Sequence, residues 1–157
     1  MKRRLFHIVF LGLLLGAINK PGMAQDSLSP LSFPALEDSM NNSPKPIILE
    51  ITTDWCRYCK LQKAQIKKDK ILLDLLKDYY FVELDAEGKR NIEFDGKNYQ
   101  YQSQGLSGGV HELAIHLAGN EHLSYPTWIF LNEQYQVVYR FGGVLKPNDL
   151  KTIIRHL

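Results

Sequence analysis

The chain is poor in cysteine, with two in 157 residues, at positions 56 and 59. That excludes the framework of several disulfides that staples many small secreted domains. It also argues against a structural zinc site, which takes four ligands from two such pairs or from added histidines. The sequence has no glycine-rich phosphate loop, no nucleotide-binding fingerprint, no Ser/His/Asp set, no internal repeat and no low-complexity tract. Its apolar run near the N-terminus, Leu5 to Ile18, has 14 residues, short of the ~20 that span a bilayer as a helix. The remainder is ordinary for one globular domain, 45% hydrophobic and 23% charged, long enough for one core and short for two.

An excess of one charge is missing too, once the first residues are set aside. Lys2, Arg3 and Arg4 precede the apolar run, and Gly22 and Ala24 follow it as a small-residue cleavage pattern. This is the pattern of a secretory signal peptide over residues 1–24, cut between Ala24 and Gln25. A membrane anchor is the rival reading, and the short run argues against it. No cysteine follows the run to take a lipid. Removing four of the 19 basic residues and none of the 17 acidic ones leaves residues 25–157 at a net charge of −2. The apparent basicity therefore belongs to targeting and gives no support for nucleic-acid binding.

What is present reads as alternating strands and helices. After a polar lead-in, Phe33 to Asn41 suits a short helix, and Ile47 to Thr52 is a β-rich run. A helical pattern follows from Cys56 through Leu61, Ala64 and Gln65, with a break near Lys67–Lys70. Ile71, Leu72, Leu75 and Leu76 then form an apolar helix face. Tyr80 to Leu84 is the next strand. Between residues 91 and 124 lies a longer segment: Asp95-Gly96 signals a hairpin between Phe94 and Tyr99, and Val110 to Ala118 reads as a helix stopped by Gly119. Trp128 to Leu131 and Val137 to Phe141 are strands joined by a turn. Gly142-Gly143 breaks the second, and Pro147 to Leu157 is a closing helix with Leu150, Ile153, Ile154 and Leu157 inward. The order βαβ, insertion, ββα predicts an α/β sheet with helices on both faces.

The cysteine spacing carries the chemistry. A staple gains most by closing a long loop, and this pair closes almost none, so redox use is the better reading. Two thiols two residues apart at a helix start can close a disulfide without moving the backbone. At the helix N-terminus, unpaired N–H groups and the dipole stabilise a thiolate. Cys56 is thus expected to attack, and Cys59, about one turn inward and more buried, to resolve the mixed disulfide. Arg57 puts a cation beside Cys56, which should favour its thiolate and make the pair more oxidising.

The stretch from Ile47 through Trp55-Cys56-Arg57-Tyr58-Cys59-Lys60 resembles the active-site strand and helix of the thioredoxin superfamily. Tyr125-Pro126-Thr127 before Trp128-Ile129-Phe130-Leu131 resembles its cis-proline strand, and Gly142-Gly143 the approach to its last helix. The likeness covers about Phe33 to Leu157. It implies a thioredoxin fold with an inserted hairpin and helix before the cis-proline strand. It implies that Pro126 is cis and lies beside the disulfide, that the Tyr125 backbone pairs with a substrate strand, and that Trp55, Arg57, Tyr58 and Thr127 border the substrate. Glu50, six residues before Cys56, stands where thioredoxins usually carry a buried Asp that relays protons for the inner thiol. A relay and a merely tolerated buried acid are both open; burial should raise its pKa.

The sequence also departs from that pattern. Arg57-Tyr58 replaces the usual Gly-Pro, and Tyr58 before the second cysteine is similar to exported disulfide isomerases. Reduction, oxidation and isomerisation all stay open. The 91–124 insertion offers Tyr99, Tyr101 and the Gly105–Gly109 loop as a substrate surface, or else a lid over core edges. His111 and His116 are five apart, which turns them about 140° away from each other on a helix, so no metal is expected there and surface histidines are the better reading. His122 is the one further histidine that could approach them. The expected protein is therefore a monomeric, exported, periplasmic thiol-disulfide oxidoreductase, with no cofactor beyond the Cys56–Cys59 disulfide. Its partners would be exported protein thiols and disulfides and a membrane redox protein. The alternative is a non-catalytic peptide-binding module on the same fold.

Overall fold

The computed structural model describes residues 29–105, 108–119 and 123–157. The expected signal peptide and His122 lie outside the described residues. The element order is α1 (Phe33–Asn42), β1 (Ile47–Thr52), α2 (Arg57–Ile66), α3 (Lys70–Leu75), β2 (Tyr80–Asp85), β3 (Ile92–Phe94), β4 (Lys97–Tyr99), β5 (Tyr101–Ser103), β6 (Gly109–His111), α4 (Glu112–Ala118), β7 (Thr127–Leu131), β8 (Val137–Gly142) and α5 (Pro147–His156). A 3-10 turn, Leu76–Asp78, links α3 to β2.

Four strands form the central sheet in the order β2-β1-β7-β8. β1 runs parallel to β2 and antiparallel to β7, and β7 runs antiparallel to β8. β1 is the deepest element because it is flanked on both edges and covered on both faces. Five of its six residues are buried, which is why it reads as a continuous apolar run interrupted only by Glu50. Alternation splits the sheet into two faces. Leu49, Ile51, Val82, Leu84, Ile129 and Leu131 pack with Leu36 and Met40 of α1 and Leu113, Ala114 and Leu117 of α4. Ile48, Phe81, Trp128 and Phe130 pack with Ile66 of α2, Leu72 of α3, and Leu150 and Ile154 of α5.

The helices begin and end for local reasons. Ser32 caps α1, its hydroxyl accepting from the Ala35 N–H, with Pro34 in the first turn where a missing N–H costs nothing. Asp69 caps α3 by accepting from the Leu72 N–H at 3.0 Å, and this cap makes the break at Lys67–Lys70. In the insertion, Phe94 pairs with Lys97 across Asp95-Gly96, whose φ values of 51° and 65° are those of a tight hairpin turn.

Four expectations need correction. The segment expected as a helix from Val110 is a strand up to His111, paired with β5 as a second hairpin, and only then α4. Gly109 permits that pairing, since a Cβ there would lie 2.1 Å from the Gln102 carbonyl oxygen. His111 is fully buried instead of lying on the surface. Ile71 faces solvent at 59% exposure, because α3 turns Leu72 inward and Leu76 follows it at i+4. Leu157 lies past the last turn of α5 and is half-exposed, so Leu150 and Ile154 anchor that helix without it.

Candidate functional site

β1 delivers the chain to the site. Its last paired residue, Thr52, is followed by a turn in which the Thr53 carbonyl accepts from the Cys56 N–H at 3.0 Å. Lys60 reaches back to the Asp54 carbonyl at 2.7 Å and holds the entry closed. Cys56 is the N-cap of α2, its Sγ accepting from the Cys59 N–H at 3.1 Å. The two sulfurs are bonded at 2.04 Å, with the Cα atoms 5.4 Å apart. The first turn of α2 holds no acid, and Arg57 opposes the helix dipole there. That choice costs the helix a little and favours an anion on Cys56.

The expected burial order is not observed. Cys56 is 3% exposed and Cys59 is 6% exposed, so both are covered and Cys59 is not the deeper of the two. Around them the surface is open and apolar: Trp55, Tyr58 and Leu61 are each more than half exposed. Arg57 and Lys60 are exposed as well.

The Tyr125–Pro126 peptide is cis. Pro126 is buried, and its carbonyl accepts from the Gly143 N–H at 2.7 Å, tying this strand entry to the break after β8. The Tyr125 ring meets Trp55 edge-on, with centroids 5.7 Å apart, so the cis-proline loop and the residue before Cys56 touch directly. Trp55 Nε1 donates to Glu87 at 3.1 Å. Burial, then the Glu87 and Asp85 carboxylates, push the Tyr125 phenol above its ordinary pKa. Thr127 is turned inward, its hydroxyl donating to the Ser124 carbonyl at 2.6 Å.

Glu50 is 2% exposed, and its Oε1 has no hydrogen-bond partner. Desolvation first, then the Glu83 carboxylate, push its pKa up to about 8, against the opposing pull of Lys63. The register explains that neighbourhood: Glu50 lies opposite Glu83 on β2 and opposite Trp128 on β7. Lys63 of α2 is ion-paired with Glu83. Cys59 shares the inward face of α2 with Gln62 and Ile66, above this part of the sheet.

Sequence reasoning brought together Trp55, Cys56, Cys59, Tyr125 and Pro126. It missed Glu83, Lys63, Glu87 and Gln62. Gln62 is fully buried and holds the Leu145 backbone by both ends of its amide, at 2.6 and 3.0 Å. A polar residue three after Cys59 on the inward helix face is the signal that could have found it. His111 and His116 are apart in role: His111 Nδ1 accepts from the Leu113 N–H at 3.2 Å and its Nε2 meets the Arg90 carbonyl at 3.0 Å. That arrangement puts the proton on Nε2 and leaves no lone pair for a metal. His116 stacks on Tyr99 instead.

A disulfide at the head of the helix that follows a central strand, next to a cis-proline strand entry in a sheet of this order, defines a thioredoxin-fold protein with a redox-type cysteine pair. A family model described as a thioredoxin-like domain matches residues 34–157, and the chain belongs to that family. Among curated proteins it is similar to the thiol:disulfide interchange protein DsbD of two Campylobacter jejuni strains, 26% identical over 53% of this chain and 17% of the relative. The chain thus spans about a sixth of the length of those relatives. Among solved structures it is similar to the germline-specific thioredoxin Deadhead of Drosophila melanogaster, with a TM-score of 0.52, 17% identity and coverage of 82% of this chain and 97% of the other. A redox protein from Chlamydomonas reinhardtii gives a TM-score of 0.51 at 20% identity, covering 78% of this chain and 32% of that one. These structural likenesses speak to the fold. Family and cysteine pair together support a thiol-disulfide oxidoreductase at a general level.

Proposed function

We propose that the protein exchanges disulfides with exported protein substrates through Cys56 and Cys59, in the periplasm, with a membrane redox protein as its electron partner. The observation that carries this reading is the Cys56–Cys59 bond at the N-terminus of α2. In the reducing direction the Cys56 thiolate attacks a substrate disulfide and one substrate thiolate leaves. The Cys59 thiolate then attacks Cys56 Sγ in the mixed disulfide, the Cys56–Cys59 bond reforms and the second substrate thiol is released. Oxidation runs the same steps backwards. Glu50 serves as the acid–base group for Cys59, taking its proton before the second attack. Trp55, Arg57, Tyr58 and the Tyr125-Pro126-Thr127 backbone form the rim on which the substrate segment lies. Export is supported by the N-terminal sequence pattern, and disulfide exchange by the name of the curated relatives, thiol:disulfide interchange protein.

Insulin-disulfide reduction tests the reading. Cys56→Ser is expected to fall to background, and Cys59→Ser to accumulate mixed disulfide. Equal background activity in wild type and Cys56→Ser would instead mark a non-catalytic peptide-binding module. A glutathione titration then gives the direction: a potential near about −270 mV marks a reductant, and one near about −120 mV an oxidant.

A further inference from the structure

Among the described residues, the buried side-chain atoms without a hydrogen-bond partner are Glu50 Oε1, Thr53 Oγ1 and Trp128 Nε1. Thr53 lies past the end of β1, whereas Glu50 and Trp128 are directly opposite each other in the β1–β7 ladder. Cross-strand partners project to the same face with Cβ atoms about 5 Å apart. One atom is a carboxyl acceptor and the other can only donate. Buried polar groups are seldom left without a partner, and here an orphaned donor and an orphaned acceptor belong to residues paired across adjacent strands.

We propose that Trp128 is a positioning residue for the redox reaction: its indole N–H is the hydrogen-bond donor to the ionised carboxylate of Glu50. The inference rests on the acid–base reading of Glu50 given above. The groups facing Glu50 leave that donor role open to Trp128. Glu83 from β2 is of like charge and already held by Lys63. Lys63 of α2 acts on it, and Cys59 is on the buried side of the same helix. β7 carries no charged side chain, and β1 has none besides Glu50. When the Cys59 thiol gives its proton to Glu50, the acid becomes neutral and the indole contact relaxes. When Glu50 releases that proton, the indole N–H supports the returning charge. Trp128 thereby sets the pH at which Glu50 is ready to accept.

NMR of the full, oxidised chain tests this, because neither cysteine titrates in that state. With ¹⁵N-labelled indole and ¹³C-labelled Glu carboxyl groups, the Trp128 N–H signal is expected to move with the Glu50 midpoint and to stay still in Glu50→Gln. The chain has only two tryptophans, and Trp55 reports on Glu87 instead. Replacing Trp128 with 3-benzothienylalanine keeps the ring shape and deletes the N–H. This change is expected to raise the Glu50 midpoint by about one pH unit, since a bond to the charged form is lost. The pH profile for release of a Cys56 mixed disulfide should move with it. An unmoved Glu50 midpoint overturns the inference. If Glu50→Gln shifts the release profile and the Trp128 replacement does not, the role of Trp128 falls and that of Glu50 stands. If Glu50→Gln leaves the profile unchanged, the acid–base reading falls and the positioning role with it.

Discussion

The two faces of the sheet are built by alternate residues of the same strands, yet they are chemically unlike. On one face Leu49 and Ile51 meet Ile129 and Leu131 in an apolar cluster under α1 and α4. On the other, Ile48 begins an apolar layer under α3 and α5, but two residues on, Glu50 and Glu83 stand side by side beneath the start of α2. Chemistry in this fold belongs where a central strand ends beneath a helix start. A residue buried at the carboxyl end of a central strand is close to the next helix N-terminus, so an acid placed there meets the reactive sulfur end of α2. Ile48, toward the other end of the same face, lies in an apolar cluster that includes Leu72, Leu150 and Ile154.

The comparison can be broken most forcefully from the apolar face. Leu49→Ala removes a fully buried side chain and is expected to cost about 2–5 kcal/mol in denaturant unfolding. The dependence of that stability on pH should be unchanged between pH 4.5 and 8, because Leu49 belongs to a cluster of apolar residues bordered by tyrosines, which keep their protons there. Glu50→Gln tests the opposite property. The native carboxyl keeps its proton up to about pH 8, whereas the unfolded one loses it near 4.5. The native state therefore binds more protons across that window, and wild-type stability falls as pH rises through it, flattening above 8. Gln does not titrate, so its advantage over wild type should grow from pH 4.5 and reach on the order of 3 kcal/mol by pH 7. Stability curves that stay parallel across that range would place Glu50 in water.

Much of this asymmetry was legible in the amino acids. Ile47 to Thr52 showed a buried strand because five apolar or β-branched residues surround one acid, and Trp55-Cys56 with Cys59-Lys60 fixed the head of the next helix. Asp95-Gly96 marked a hairpin because few other pairs adopt two successive left-handed residues. Less legible was the partner of each buried polar group, since that depends on register between strands far apart in sequence. Glu83 and Trp128 flank Glu50 only through pairing with β2 and β7. The second hairpin was missed for a similar reason: Tyr101–Ser103 has no turn chemistry of its own, and Val110-His111 fits a helix pattern until Gln102 takes Val110 as its partner. The burial of Cys56 likewise depends on what the tertiary fold lays over the helix start, which no local pattern encodes.

A smaller effect sharpens the reactive face further. Gln62 lies one turn beyond Cys59 and clamps both backbone groups of Leu145. Gln62→Ala leaves a buried N–H and carbonyl unpaired, with an expected loss of about 1–3 kcal/mol in chemical unfolding. Unlike Glu50→Gln, it should leave the pH slope of stability intact, since no charge is removed. A changed slope would mean that the clamp also holds α2 over Glu50.

The smallest expected effect lies at the far end of the same face, where charge serves structure alone. Asp69 caps α3 and is bonded to Lys151 of α5 at 2.8 Å. Lys151, then the Leu72 N–H, hold the Asp69 carboxyl below its ordinary pKa. A depressed folded pKa means that this contribution is present above the unfolded value near 3.8 and is lost as pH falls through the folded one. Lys151→Met is therefore expected to move the acid-unfolding midpoint slightly upward, read by circular dichroism, and to leave stability at neutral pH nearly unchanged because such pairs contribute little in water. The pH profile of disulfide exchange should not move at all, since Asp69 is at the start of α3 and Lys151 on α5, neither on the helix that carries Cys59. If it does move, the face is electrostatically continuous from α5 to the sulfur pair, and the division into an apolar end that holds the helices and an acidic end that works on the thiol is wrong.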